Sequence, residues 1–224
     1  MIPPHHLPTV QMKQSSPILQ WFRAHLKTPV TAALLVFFTL WTVQPAGAAT
    51  GSWILNANGN WTGTPANWAG GIVPNGVGDT AIFRNDITAT RTITLNAPIT
   101  LGRLEVGDLL GGSAFTFAGS ALNTLTLDAL AGNASINQYT TSTTTWQAPL
   151  ILTDNVDFNI FAGTFDVTGA SSAQVSYTGA GNTIKNGAGT LRLNIDAISG
   201  AGYTGNFVMN FGTLNIGGAN SAAP

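Results

Sequence analysis

Cysteine is absent from all 224 residues, and only 8% of them are charged. The first absence removes disulfide staples, thiol nucleophiles and cysteine zinc sites together. Histidine is almost as scarce: His5, His6 and His25 all fall before Ala49. Beyond residue 48 no imidazole is available for a Ser-His-Asp triad or for histidine base catalysis. The basic residues there are five (Arg84, Arg91, Arg103, Lys185, Arg192), against nine acids, giving a net charge of −4. That sign excludes a basic nucleic-acid footprint. Proline is thin from residue 89 to 220, with Pro98 and Pro149 alone, as suits strands whose N–H groups must all pair. The remaining length suffices for roughly one domain with its own core.

One long apolar run is present. Val30 to Val43 carries no charge and follows Arg23, His25 and Lys27. It is shorter than the roughly 20 residues a helix needs to cross a bilayer, which argues against an uncleaved anchor. Gln44-Pro45-Ala46-Gly47-Ala48-Ala49 comes next, with the small-x-small pattern of a signal peptidase site. Residues 1–48 therefore read as a signal peptide, cut after Ala48 or Ala49, and the mature protein reads as exported: secreted or at the cell surface.

Helical periodicity is missing after residue 50, and alternation takes its place. Arg91-Thr92-Ile93-Thr94-Leu95 and Val156-Asp157-Phe158-Asn159-Ile160 each put apolar residues at every second position, on one face of a strand. Glycine and asparagine between the runs supply turns. The runs also resemble one another: Gly102 to Val106, Asn123 to Leu127, Gly163 to Val167, Gly189 to Leu193 and Gly212 to Ile216, with Pro149 to Leu152 a looser copy. A recurring unit of about 20–26 residues marks a solenoid. The expected fold is all-β, a right-handed parallel β-helix of about five to six coils, in which each copy is one coil. An antiparallel sandwich is the alternative. Leu104, Val106, Leu125, Leu127, Phe165, Val167, Leu191, Leu193, Leu214 and Ile216 should point inward, and Glu105, Thr126, Asp166, Arg192 and Asn215 outward. Asn186 and Asn210 are candidates for side-chain ladders between coils.

Two motifs carry a resemblance. Asn186-Gly187-Ala188-Gly189-Thr190-Leu191-Arg192-Leu193 precedes Tyr203-Thr204-Gly205, then Asn210-Phe211-Gly212-Thr213-Leu214-Asn215-Ile216. The succession resembles the autotransporter-associated β-strand repeat over 186–216, apart from a longer connector at Asn194–Gly202. Upstream, Trp53-Ile54-Leu55, Asn60-Trp61, Ala66-Asn67-Trp68-Ala69-Gly70-Gly71, Val73-Pro74-Asn75-Gly76 and Asp79-Thr80-Ala81-Ile82-Phe83 look like a module that opens bacterial exported proteins bearing such repeats. The resemblance implies a passenger-type β-helix, here an N-terminal piece of a longer protein. The division that follows is a signal peptide at 1–48, a Trp-rich N-terminal cap at 49–88 and a solenoid at 89–224.

Candidate chemistry is sparse. Trp53, Trp61 and Trp68 are the candidate binding residues, as a platform on which sugar rings stack; the alternative is an aromatic lid over the first coil. Glycoside hydrolysis needs paired carboxylates, for which Asp154, Asp157 and Asp166 are the nearest cluster, without a second group to raise a pKa. Gly76-Val77-Gly78-Asp79 resembles half a calcium nonapeptide in the wrong spacing, so Asp79 reads as a turn cap. The sequons at Asn60 and Asn133 carry no weight in a bacterial context. The expectation is a non-catalytic exported segment that presents or extends a surface, with no cofactor and no metal. Its expected partners are an extracellular glycan or the cell surface, with no nucleic acid and the membrane only through the cleaved leader. Unpaired strand edges at an open end also predict end-to-end self-association. A carbohydrate-binding module and a polysaccharide-degrading β-helix enzyme are the alternatives.

Overall fold

The computed structural model describes residues 47–169, 175–196 and 202–217. The apolar run Val30–Val43, expected to belong to a signal peptide, and most of the Asn194–Gly202 connector lie outside them. From Ala48 onward the chain is one compact unit, built almost wholly of parallel strands.

The strands wind as a solenoid of about five turns with three faces. Strands β1 (Thr50–Ser52) and β2 (Gly59–Asn60) begin it. The first full coil is β3 (Thr80–Phe83), β4 (Arg91–Leu95) and β5 (Ile99–Leu101). The second is β6 (Arg103–Val106), β7 (Phe115–Gly119) and β8 (Leu125–Leu127), and the third β9 (Ala134–Gln138), β10 (Thr143–Trp146) and β11 (Leu150–Leu152). The fourth is β12 (Val156–Ile160), β13 (Thr164–Val167) and β14 (Val175–Gly179). Strands β15 (Thr183–Asn186) and β16 (Thr190–Asp196) form the fifth, and β17 (Phe207–Met209) and β18 (Thr213–Gly217) lie over it. One face is the sheet β1-β3-β6-β9-β12-β15-β17; the other two are joined through β16, whose first half pairs β13 and β18 and whose end pairs β14. Residues 50–83 supply strands to the same sheets as the later coils, so the Trp-rich segment is continuous with the solenoid.

The similar runs seen in the sequence do not all stack on one another. Those beginning at Gly163, Gly189 and Gly212 do, with Thr164 over Thr190 and Thr190 over Thr213. The run at Gly102 is β6 on the first face, whereas the run at Asn123 is β8 on the third, with Leu150 of β11 in register with its Leu125. The step from Gly102 to Asn123 is therefore a walk around one coil. Each face makes the same demand, a turn and then an apolar side chain at alternate inward positions, so short strands on different faces converge on one pattern. True coil steps are uneven, short from Thr143 to Thr164 and long from Arg103 to Ser135.

The expected inward set is buried from Leu104 through Leu193. The last two members depart: Leu214 is only half-buried and Ile216 is 41% exposed, because no described strand covers β18. Stacked turns need glycine where the backbone takes positive φ against the coil below. Gly187 has φ +78°, and a Cβ there would strike the Ile160 carbonyl oxygen.

Candidate functional site

The three candidate tryptophans come together, but inside. Trp53, Trp61 and Trp68 are 1%, 0% and 1% exposed. Pro65 opens a 3-10 turn at Pro65–Asn67, a second follows at Ala69–Gly71, and the chain then runs against Gly51 of β1 at Ile72 and Pro74. That segment turns Trp68 inward, where its ring meets Trp53 edge-on at 5.3 Å and Trp61 at 5.3 Å. Phe83 lies within 5.1–5.5 Å of all three. Each indole N–H donates to a carbonyl: Trp53 to Leu55 at 2.8 Å, Trp61 to Pro74 at 3.0 Å and Trp68 to Trp61 at 2.9 Å. With ring faces packed on rings and every N–H bonded, no face is left for a sugar. The platform reading is corrected to a lid that closes the first coil.

The acidic residues are spread along the frame and bonded to it. Asp154 sits in the turn before β12 and accepts the Ala129 N–H at 2.7 Å. Asp157 takes the side-chain amides of Asn133 at 3.0 Å and Asn186 at 3.2 Å. Asp166, solvent-facing by parity, is 4% exposed, because Arg192, in register on the next coil, lies over it as a two-pronged ion pair. Asp79 caps the turn before β3, accepting the Asn75 N–H at 3.0 Å and the Ala49 N–H at 2.6 Å. Among the described residues no three His, Cys, Asp or Glu side chains gather as metal ligands.

The outer faces carry stacked polar lanes. Asn210 donates to Asn186 at 2.9 Å, Asn186 to Asn159 at 3.1 Å and Asn159 to Asn137 at 2.8 Å. The expected ladder at Asn186 and Asn210 is present and reaches two coils further down. A second ladder runs from Asn206 to Asn182, while the Asn182 backbone N–H reaches the Asn155 side chain. Thr143, Thr164, Thr190 and Thr213 form a threonine lane in one register.

Two features escaped sequence reasoning. Thr183 and Lys185 point inward while Ile184 faces partly out, the reverse of what hydrophobicity suggests. The Lys185 ammonium is held by the carbonyls of Asn186 and Gly187, both at 2.7 Å, and of Phe211 at 3.1 Å, and burial pushes its amine below the usual lysine range. Thr183 meets the Tyr177 hydroxyl at 2.6 Å and the Tyr203 hydroxyl at 2.9 Å. Burial raises both phenols. The available signal was Tyr177-Thr178-Gly179, a copy of Tyr203-Thr204-Gly205 one coil earlier. No family model, curated protein or solved structure matches the chain.

Proposed function

We propose that the chain is a non-catalytic, exported β-solenoid segment of a bacterial protein, secreted or held at the cell surface, which presents or extends a surface there. One observation carries the reading: the coils divide their side chains between a largely apolar interior and outer lanes of asparagine and threonine. Such a stack is stiff because each coil pairs along its length with its neighbours, and its length scales with coil number. The basic, apolar and small-residue leader supports export, and the resemblance to autotransporter-associated repeats supports the passenger-like role. Contacts with a glycan or cell surface fall to the outer lanes, and the net charge of −4 beyond residue 48 turns nucleic acid away. With Trp53, Trp61 and Trp68 inside the core, those rings offer the carbohydrate-binding alternative no exposed face. The three acids named for the hydrolase alternative, Asp154, Asp157 and Asp166, are each bonded to the frame.

The test is to express the full chain in a bacterial host, fractionate the cells and incubate the protein with a panel of polysaccharides. Material outside the cytoplasm, lacking the leader and releasing no sugar, is expected. Retention in the cytosol overturns the export reading, and sugar release that Asp157→Asn abolishes overturns the non-catalytic one.

A further inference from the structure

Two exits from the leader are equal in sequence, since Ala46-Gly47-Ala48 and Gly47-Ala48-Ala49 both place small residues one and three positions before the cut. The fold separates them. Ala49 is the first residue tied to the coils: its N–H donates to Asp79 Oδ1 at 2.6 Å, and its carbonyl accepts the Thr80 N–H at 2.8 Å. Gly47 and Ala48 are exposed and make no hydrogen bond among the described residues. The Asp79 carboxylate is held in place from its other oxygen by Asn75, and so is aimed at the Ala49 nitrogen.

We propose that Ala49 is the mature N-terminus, and that hydrolysis of the Ala48–Ala49 bond by a signal peptidase strengthens the tie between Ala49 and the turn before β3. The inference rests on the export reading above. Water adds across that amide: Ala48 leaves with the new carboxylate, and Ala49 keeps the amine, which takes up a proton at neutral pH. The nitrogen that donated one neutral hydrogen bond then carries a full positive charge against Asp79. Charge-assisted bonds of this kind are shorter and stronger than neutral ones. A cut one residue later would remove Ala49 and leave Asp79 Oδ1 and the Thr80 N–H without these partners. Processing thus converts the neutral contact just before β1 into a charged latch on the turn before β3.

The experiment is to export the full chain from a bacterial host and read the mature N-terminus by Edman degradation and intact mass. The mature protein should begin at Ala49. Acetylating its N-terminus, with Lys185 the single competing lysine and buried, should lower Tm by about 2–4 °C. Asp79→Asn should lower Tm by a similar amount, and acetylation should then change nothing further. An exported chain that begins at Thr50 overturns the inference and leaves export standing. A chain that begins at Ala49 but is indifferent to acetylation overturns the latch. An uncut chain in the cytosol sinks the export reading and this inference with it.

Discussion

The two ends of the coil stack are held by different physics. At the N-terminal end Trp53, Trp61, Trp68, Phe83 and Phe117 fill the interior with rings at 4.9–6.3 Å, and the only polar atoms they bring are indole N–H groups already bonded. Toward the C-terminal end the inward positions become Thr183, Lys185, Tyr177 and Tyr203, joined by hydroxyl and carbonyl hydrogen bonds. Above them Met209 and Ile216 are exposed, whereas Lys185 and Leu193, their partners one coil below, are sealed. Burying hydrocarbon is favourable in proportion to area and tolerates small misfits, while burying a polar group costs free energy unless each bond is made. One end is thus held by area and the other by geometry. The geometric end also sets what can stack on it. In both asparagine ladders the donor amide lies on the upper coil, so Asn206 and Asn210 present side-chain oxygens that accept nothing among the described residues.

The largest effect should come from the aromatic lid. Trp61→Ala is expected to cost about 3–5 kcal/mol in denaturant unfolding, as for large-to-small changes in a core. Phe211→Ala, at a side chain 63% exposed, should stay within about 0.5 kcal/mol. Equal costs for the two would erase the distinction between the ends.

Alkaline titration sharpens it next. The Tyr177 phenol is raised by burial far above its ordinary value of about 10, so in strong base the unfolded chain ionises there and the folded chain does not. Its contribution is whole below pH 10 and falls as pH climbs past it, by about 1.4 kcal/mol at pH 11. Tyr177→Phe loses the bond to Thr183 at neutral pH, but its stability deficit should shrink by that amount between pH 8 and 11. A deficit that stays constant with pH would place the phenol outside the folding unit.

The smallest effect separates rungs of one ladder. Asn186 bonds to Asp157, Asn159 and Asn210, so Asn186→Ala should cost about 1–2 kcal/mol. Asn210→Ala, at the top rung with one such bond, should cost about 0.5 kcal/mol by the same measurement.

Much of this architecture is legible in the chain. Alternation in Arg91–Leu95 and Val156–Ile160 predicts strands and their inward sides, because a period of two is a property of the local backbone. The cluster of tryptophans is legible as a group, but not its orientation. Trp68 turns inward through two 3-10 turns and a strand edge at Gly51, contacts made across sequence. Parity misplaces Asp166 for a related reason: it points to solvent by alternation, yet Arg192 covers it from the next coil. Thr183-Ile184-Lys185-Asn186 shows the limit most plainly. Its parity puts Asn186 in register over Asn159 and Thr183 and Lys185 among inward hydrogen-bond partners, against the hydrophobic preference of Ile184.

Read alone, the chain specifies short alternating strands and glycine turns, with no cysteine anywhere and no histidine after residue 48. These are statements about neighbours along the chain, where backbone geometry is set within a few residues. Which strand lies over which, which end is sealed and which acids are covered are settled only in the folded stack. Coil steps differ in length, short from Thr143 to Thr164 and long from Arg103 to Ser135. The partner of a given strand therefore depends on every turn before it and on the pairing that all the strands achieve together.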